Sequence, residues 1–198
     1  MIRLDDALAN VSALGFDTAP IIYFVEANPH YDALVAALFQ RVASGTVRGL
    51  TSVITLSEVL VHPLGQGNTR LRDAYRRLLL NSSDFATLPI DAMVAERAAD
   101  LRARYGLRTP DALQIATALN AGCTAFLTND FRLQRVTEIR VLVLDAMELQ
   151  DLSAAFAFAL FVAFAAQSFP PPYSSNSSST ATRRSAPVGQ RLTQAWSS

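Results

Sequence analysis

Thr109–Asp130 reads TPDALQIATALNAGCTAFLTND. Pro110–Asn120 has a helical pattern that stops near Gly122, and Ala125–Thr128 is a short apolar strand that ends just before an acid, Asp130. The same alternation recurs toward the N-terminus. Ala92–Tyr105 is helical and stops at Gly106, preceded by a strand at Phe85–Ile90. Arg70–Leu80 is a helix with Leu71, Ala74, Tyr75, Leu78 and Leu79 on one face. Before it, Thr55–Val61 is helical, His62-Pro63 and Gly65–Gly67 break the pattern, and Val47–Ser52 is a strand. Helices at His30–Ser44 and Pro20–Glu26, a strand ending near Asp17, and a short helix at Asp5–Val11 complete the N-terminal part. On the other side, Arg140–Leu144 is the last strand and a helix is expected near Asp145–Gln150. Strands alternating with helices predict an α/β fold with a central, mainly parallel sheet flanked by helices.

The chain has 198 residues, 51% of them hydrophobic, which suits one domain with a sizeable core. We expect that domain over residues 1–151, with a separate tail over 152–198. In the tail, 154–166 (AAFAFALFVAFAA) is apolar all round, and 168–198 is rich in serine and proline with few aliphatic residues, a composition expected to be disordered. The apolar run makes a helix of roughly 20 Å, short for a hydrocarbon core of ~30 Å. Three readings of it stand: a helix packed on the domain or on another subunit, a membrane contact, or a nonfunctional extension. Spanning of a membrane is not expected.

The net charge of zero conceals an asymmetry. All 17 acidic residues lie at or before Asp151, with 14 of the 17 basic ones, so the domain is net negative and the tail net positive. Every basic residue is arginine. The absence of lysine excludes Schiff-base chemistry, a phosphate-loop lysine and a lysine-dependent phosphatase. No G-x-S-x-G, H-E-x-x-H, C-x-x-C or G-x-G-x-x-G pattern is present. Cys123 is the one cysteine, which rules out a disulfide within the chain and reads as core filler. His30 and His62 have no neighbouring metal-ligand pattern. Met1–Asn10 carries Asp5 and Asp6 where a secretory signal would be basic and then apolar, so the cytoplasm is the expected compartment.

Four acids stand out by position. Taken singly, each has a local reading. Glu58 completes a capping-box spacing from Thr55, and Asp111 follows Thr109-Pro110, a cap and a first helical position. Asp130 can cap a short helix at Phe131–Arg135, and Asp17 can open a turn before Pro20. Together, Asp17, Glu58, Asp111 and Asp130 fall where a predicted strand or its loop hands over to a helix. In a parallel sheet those points share the edge where ligands bind. Converging carboxylates raise one another's pKa unless a cation neutralises them, and hard oxygen ligands suit Mg²⁺ or Mn²⁺. Such a site serves phosphodiester hydrolysis. Of the arginines, Arg108 and Arg132 flank the acid-bearing segments and suit phosphate contact. Arg70, Arg72, Arg76, Arg77, Arg102 and Arg104 have two readings: they line an RNA path, or they form a solvated face paired with Asp73 or Asp100.

The strings DTAPIIYFVE (17–26), TSVITLSEVL (51–60), TPDALQIATAL (109–119) and FLTNDFRLQ (126–134) resemble, in order, the motifs of PIN-domain proteins, most closely the VapC-type toxin ribonucleases of toxin–antitoxin pairs. The resemblance covers about residues 10–150. It places Asp17, Glu58, Asp111 and Asp130 on the family's catalytic, metal-binding acids, and Thr128 and Asn129 on supporting polar positions. Glu26 recurs in related strings but also fits a solvated helix end. The resemblance implies a Mg²⁺- or Mn²⁺-dependent endoribonuclease acting on RNA, a homodimer, and a cognate antitoxin that blocks the site. A PIN nuclease of RNA processing and a catalytically silent PIN-fold binding module are the alternatives. The chain departs from many such toxins in placing the first acid as late as position 17 and in carrying the tail.

Overall fold

The computed structural model describes residues 1–149; the readings of 152–198 made above, including the apolar run 154–166, lie outside the described residues. Five parallel strands form the central sheet: β2 (Ala13–Phe16), β3 (Arg48–Ser52), β4 (Phe85–Leu88), β5 (Ala125–Thr128) and β6 (Arg140–Val143), in the order β4-β3-β2-β5-β6. Seven helices are described: α1 (Leu4–Ala7), α2 (Thr18–Val25), α3 (Asp32–Ala43), α4 (Val53–Gly65), α5 (Thr69–Asn81), α6 (Ala92–Tyr105) and α7 (Thr109–Asn120). The chain order reverses direction across the sheet between β2 and β5, the switch point at which α/β sheets open a crevice.

Every residue of β2 and β5 is buried, as expected of strands covered on both faces. The pleat sorts their side chains into two cores. Leu14, Phe16, Ala125 and Leu127 join Phe24, Leu38, Phe39, Tyr75 and Phe85 on one face. Ala13 and Phe126 join Leu101, Ala112, Ile115 and Leu133 on the other. The first core is built on aromatics: Phe39 stacks on Phe24 at 3.9 Å and meets Phe16 at 5.1 Å between ring centroids. Cys123 lies in the second core, and burial pushes its thiol up to about 12, which keeps it protonated and unreactive.

Three expectations are corrected. Helix α4 does not stop at His62-Pro63 but runs to Gly65. Pro63 is buried and sits in the last turn, so it removes a single ladder donor, and its own carbonyl accepts from the Asn68 amide at 2.8 Å. The N-terminal helix ends at Ala7 rather than Val11, because the chain turns through Asn10 at φ 63° to enter β2. Asp145–Gln150 holds no α-helix in its described part. Leu144–Ala146 is a 3₁₀ turn, and Met147–Glu148 forms strand β7, parallel to β1 (Ile2–Arg3). That pairing ties the N-terminus to the end of the described chain.

Candidate active site

Strand β2 delivers Asp17 to the carboxyl edge of the sheet, where it caps α2. Its Oδ1 accepts from the Thr18 amide at 2.7 Å. Its Oδ2 accepts from the Thr128 hydroxyl at 2.6 Å, at the end of the neighbouring strand β5. Thr128 also accepts from the Asp130 amide at 3.0 Å, so one hydroxyl links the first acid to the turn that carries the last. Asp130 caps the 3₁₀ turn Phe131–Arg135, as the local reading expects. Its carboxylate faces the Arg132 guanidinium, with Nε at 2.9 and 3.0 Å from the two oxygens.

Glu58 and Asp111 arrive by routes the sequence did not suggest. Ser52, not Thr55, caps α4, with its hydroxyl accepting from the Ile54 amide at 3.2 Å. Thr55 is therefore inside the helix, the capping box does not form, and Glu58 accepts instead from the Thr18 hydroxyl. Thr109 likewise lies within α7, and the cap position belongs to Arg108. Asp111 follows a helix, α6, rather than a strand. It reaches the same edge because α7 leads back into β5, so its first turn lies over that strand's carboxyl end.

The acids influence one another's charge pairwise. Burial raises the Asp17 carboxyl, Thr128 and the Thr18 amide pull it back, and the charges of Asp111 and Glu58 push it up again. Burial also raises Asp111, with Asp130 and Glu58 adding to the rise and Arg108 and Arg132 opposing it. The Arg132 hydrogen bond holds Asp130 below its ordinary value. These couplings join four acids that are far apart in sequence.

A stability prediction follows from Asp111. A carboxyl whose folded pKa is raised binds its proton more tightly in the fold than in the unfolded chain. Its charged form therefore costs stability, and the cost grows as pH rises from the ordinary aspartate range through the raised value. Without added metal, Asp111→Asn melts above wild type at pH 7, and the gap closes as pH falls below that range. Thermal melts of both proteins across pH 3–7 (roughly the carboxylate window) check this; a variant that melts below wild type at pH 7 contradicts it.

The PIN-domain family matches residues 16–139, a span that includes all four acids. The chain belongs to the PIN-domain family. Comparison with curated proteins gives no match. Among solved structures, the chain is similar to VapBC2 from Rickettsia felis bound to a DNA fragment from their promoter. The two are 16% identical with a TM-score of 0.52, and the match covers 66% of this chain and 98% of that one, a likeness of fold. It also matches a toxin–antitoxin complex from Klebsiella pneumoniae at 26% identity and a TM-score of 0.45, covering 67% and 98% of the two chains.

In this PIN domain the donor chemistry fits a divalent cation: carboxylate oxygens, two of them raised by burial and mutual repulsion. The acids do not close on a common point. Among the described residues, no group of three or more His, Cys, Asp or Glu is arranged to hold a metal, with Asp130 turned to Arg132 and Glu58 to Thr18. Asn129 sits beside the site but faces away from the acids. Its amide donates to the Tyr31 hydroxyl at 2.8 Å and its carbonyl accepts from the Asp145 amide at 3.1 Å. Glu26 is not brought to the acids; it accepts from the Tyr75 hydroxyl at 2.6 Å. Arg72 pairs with Asp73, and Arg104 with Asp100 and Glu138, as a solvated face would. Sequence reasoning missed Thr18, Thr51, Thr55 and Gln114, a polar layer beneath the acids. The available signal was a glutamine inside the apolar run ALQIATAL.

Proposed function

We propose that this PIN domain is a metal-dependent endoribonuclease and the toxin of a VapBC-type toxin–antitoxin pair. The observation that carries the nuclease reading is the hydrogen-bonded linkage of the acids: Thr18 and Gln114 bridge Asp17 to Glu58, Thr128 bridges Asp17 to the turn at Asp130, and Asp111 stands one turn before Gln114 on α7. Those four residues would hold Mg²⁺ or Mn²⁺, which when bound supplies an activated water and stabilises charge on the phosphodiester. The chain's own groups orient the acids and receive the RNA. Thr128 fixes the Asp17 carboxylate and the turn at Asp130. Helices α2 and α7 both begin at the carboxyl edge of the sheet, and a helix N-terminus favours a phosphate oxygen. Arg108 and Arg132 already act on Asp111 and Asp130, and they supply positive charge for the RNA backbone. Substrate binding would draw Arg132 from Asp130 to phosphate.

The toxin reading rests on the four motif strings, and the fold shared with the Rickettsia VapBC2 assembly is compatible with it. It implies a cognate antitoxin and a homodimer, working on cytoplasmic RNA. Among the described residues no helix is long and apolar enough to cross a membrane. The test is growth on expression. Expression of the full chain alone arrests growth, and co-expression of a small protein encoded immediately upstream relieves the arrest. Unimpaired growth with folded, metal-competent protein would favour the RNA-processing or silent-module alternative.

The boundary after Asp151 is part of the same proposal. Among the described residues, β7 pairs with β1 up to Glu148, and Leu149 packs against the first core. A chain ending at Asp151 is expected to be folded and nucleolytic, and to associate less than the full chain, which also carries the apolar run. Circular dichroism, size-exclusion chromatography and RNA cleavage on both chains check it; an unfolded short chain would place 154–166 in the core.

A further inference from the structure

We propose that Gln114 is a positioning residue whose side-chain amide sets the spacing of Asp17 and Glu58 for a divalent cation, an inference that rests on the metal-dependent reading above. Gln114 lies one turn after Asp111 on α7 and is 3% exposed. Its Nε2 is 3.2 Å from Asp17 Oδ1, 3.0 Å from Thr18 Oγ1 and 3.5 Å from Glu58 Oε2. Its Oε1 accepts from the Thr55 hydroxyl at 3.1 Å.

The orientation of the amide is forced. A carboxylate only accepts hydrogen bonds, so the group facing Asp17 and Glu58 must be the NH₂ end; flipped, the amide would set its carbonyl oxygen against two carboxylates. Its two protons are then committed. One goes to Asp17. The other goes to Thr18, whose single hydroxyl proton is in turn donated to Glu58. A side chain on α7 thus ties the start of α2 to the middle of α4, the helices that carry the first two acids.

A purely structural role explains less. The other buried residues of α7 are Ala112, Ile115, Ala116, Thr117 and Ala118, mostly aliphatic, so a buried amide among them needs a partner to offset its desolvation. Thr51 does not bond to it, and Thr55 meets it only at the acceptor end. Their hydroxyls lie 2.7 Å apart, and Thr51 Oγ1 donates to the Phe16 carbonyl at 2.8 Å. The donor end of the amide is spent entirely toward the acid cluster. Hydrogen bonds of this kind, one layer behind the ligands, hold carboxylates in register against their own repulsion.

The experiment measures Mn²⁺ binding to the full-length chain by the electron paramagnetic resonance of free Mn²⁺, with thermal melts taken in the absence of metal. Gln114→Leu removes the amide. Gln114→Met does the same with a side chain that adapts to irregular space. Thr117→Val is the control, a buried position on the same helix whose hydroxyl bonds to the Leu113 carbonyl at 2.8 Å. Expected are metal-free melts close to wild type for all three, and a Mn²⁺ dissociation constant raised about 10- to 100-fold for the two Gln114 variants alone. Wild-type affinity in folded Gln114→Leu overturns the inference, as does an equal loss in Thr117→Val. Loss of the fold in both Gln114 variants would make the amide a structural tie and overturn it as well. A wild-type chain that takes up no Mn²⁺ overturns the metal-dependent reading itself, and is told apart from the other results by the wild-type titration alone.

Discussion

Asp17→Asn and Asp111→Asn each lower Mn²⁺-dependent RNA cleavage by about a thousandfold, the scale of losing a charged group that acts on the transition state. Neither change should disturb the fold. At position 17, asparagine keeps a carbonyl oxygen for the Thr18 amide and presents an NH₂ group to Thr128, whose hydroxyl can accept as well as donate. At position 111, the substitution removes a carboxylate that burial and two neighbouring acids already disfavour. The prediction is therefore a pair: activity falls by orders of magnitude while circular dichroism is unchanged. Purified Asp111→Asn that cleaves RNA at the wild-type rate under Mn²⁺ would remove Asp111 from the site.

The second large effect is on stability. Gly15 lies in the central strand β2, in register with Phe126 of β5. A Cβ built there would stand 2.6 Å from Ala118 Cβ and 2.9 Å from Phe126 Cδ2. Both neighbours belong to the packed second core, and Ala118 is on α7, so relief requires the helix to move. Gly15→Ala should cost about 2–3 kcal/mol, and Gly15→Val should yield little folded protein. Because α7 carries Asp111 and Gln114, the alanine variant should also lose activity beyond its loss of folded fraction. Urea melts and cleavage rates on Gly15→Ala check both parts; a wild-type midpoint would mean that α7 does not press on β2 as closely as the distances state.

The layout of strands and helices was legible because the sheet is covered on both sides. Ala125–Thr128 and Ala92–Tyr105 have the bounds read from sequence, the first as an apolar run buried on both faces, the second closed by Gly106 in the left-handed conformation at φ 60°. What failed to show in the sequence depends on contacts between distant segments. Pro63 reads as a helix breaker, yet burial in the last turn of α4 overrides the local signal. Two-residue strands such as β1 and β7 carry no periodicity; they exist because Ile2 meets Met147. The site divides in the same way. Asp17, Asp111 and Asp130 could be singled out from their positions at helix starts and Glu58 from a cap at Thr55 that does not form, whereas Gln114 and the threonines beneath the acids look ordinary until the fold brings Thr55 and Thr18 to one amide.

The central claim is that Asp17, Glu58, Asp111 and Asp130 bind one class of divalent cation as a unit. Mn²⁺ titrations of wild type, Asp17→Asn, Glu58→Gln, Asp111→Asn and Asp130→Asn, each followed by paramagnetic resonance and by the metal-induced rise in melting temperature, test it most directly. The account predicts that wild type binds and is stabilised by mass action, and that each substitution weakens binding and shrinks the rise. Asp111→Asn that binds Mn²⁺ as tightly as wild type, with the same gain in melting temperature, would contradict it.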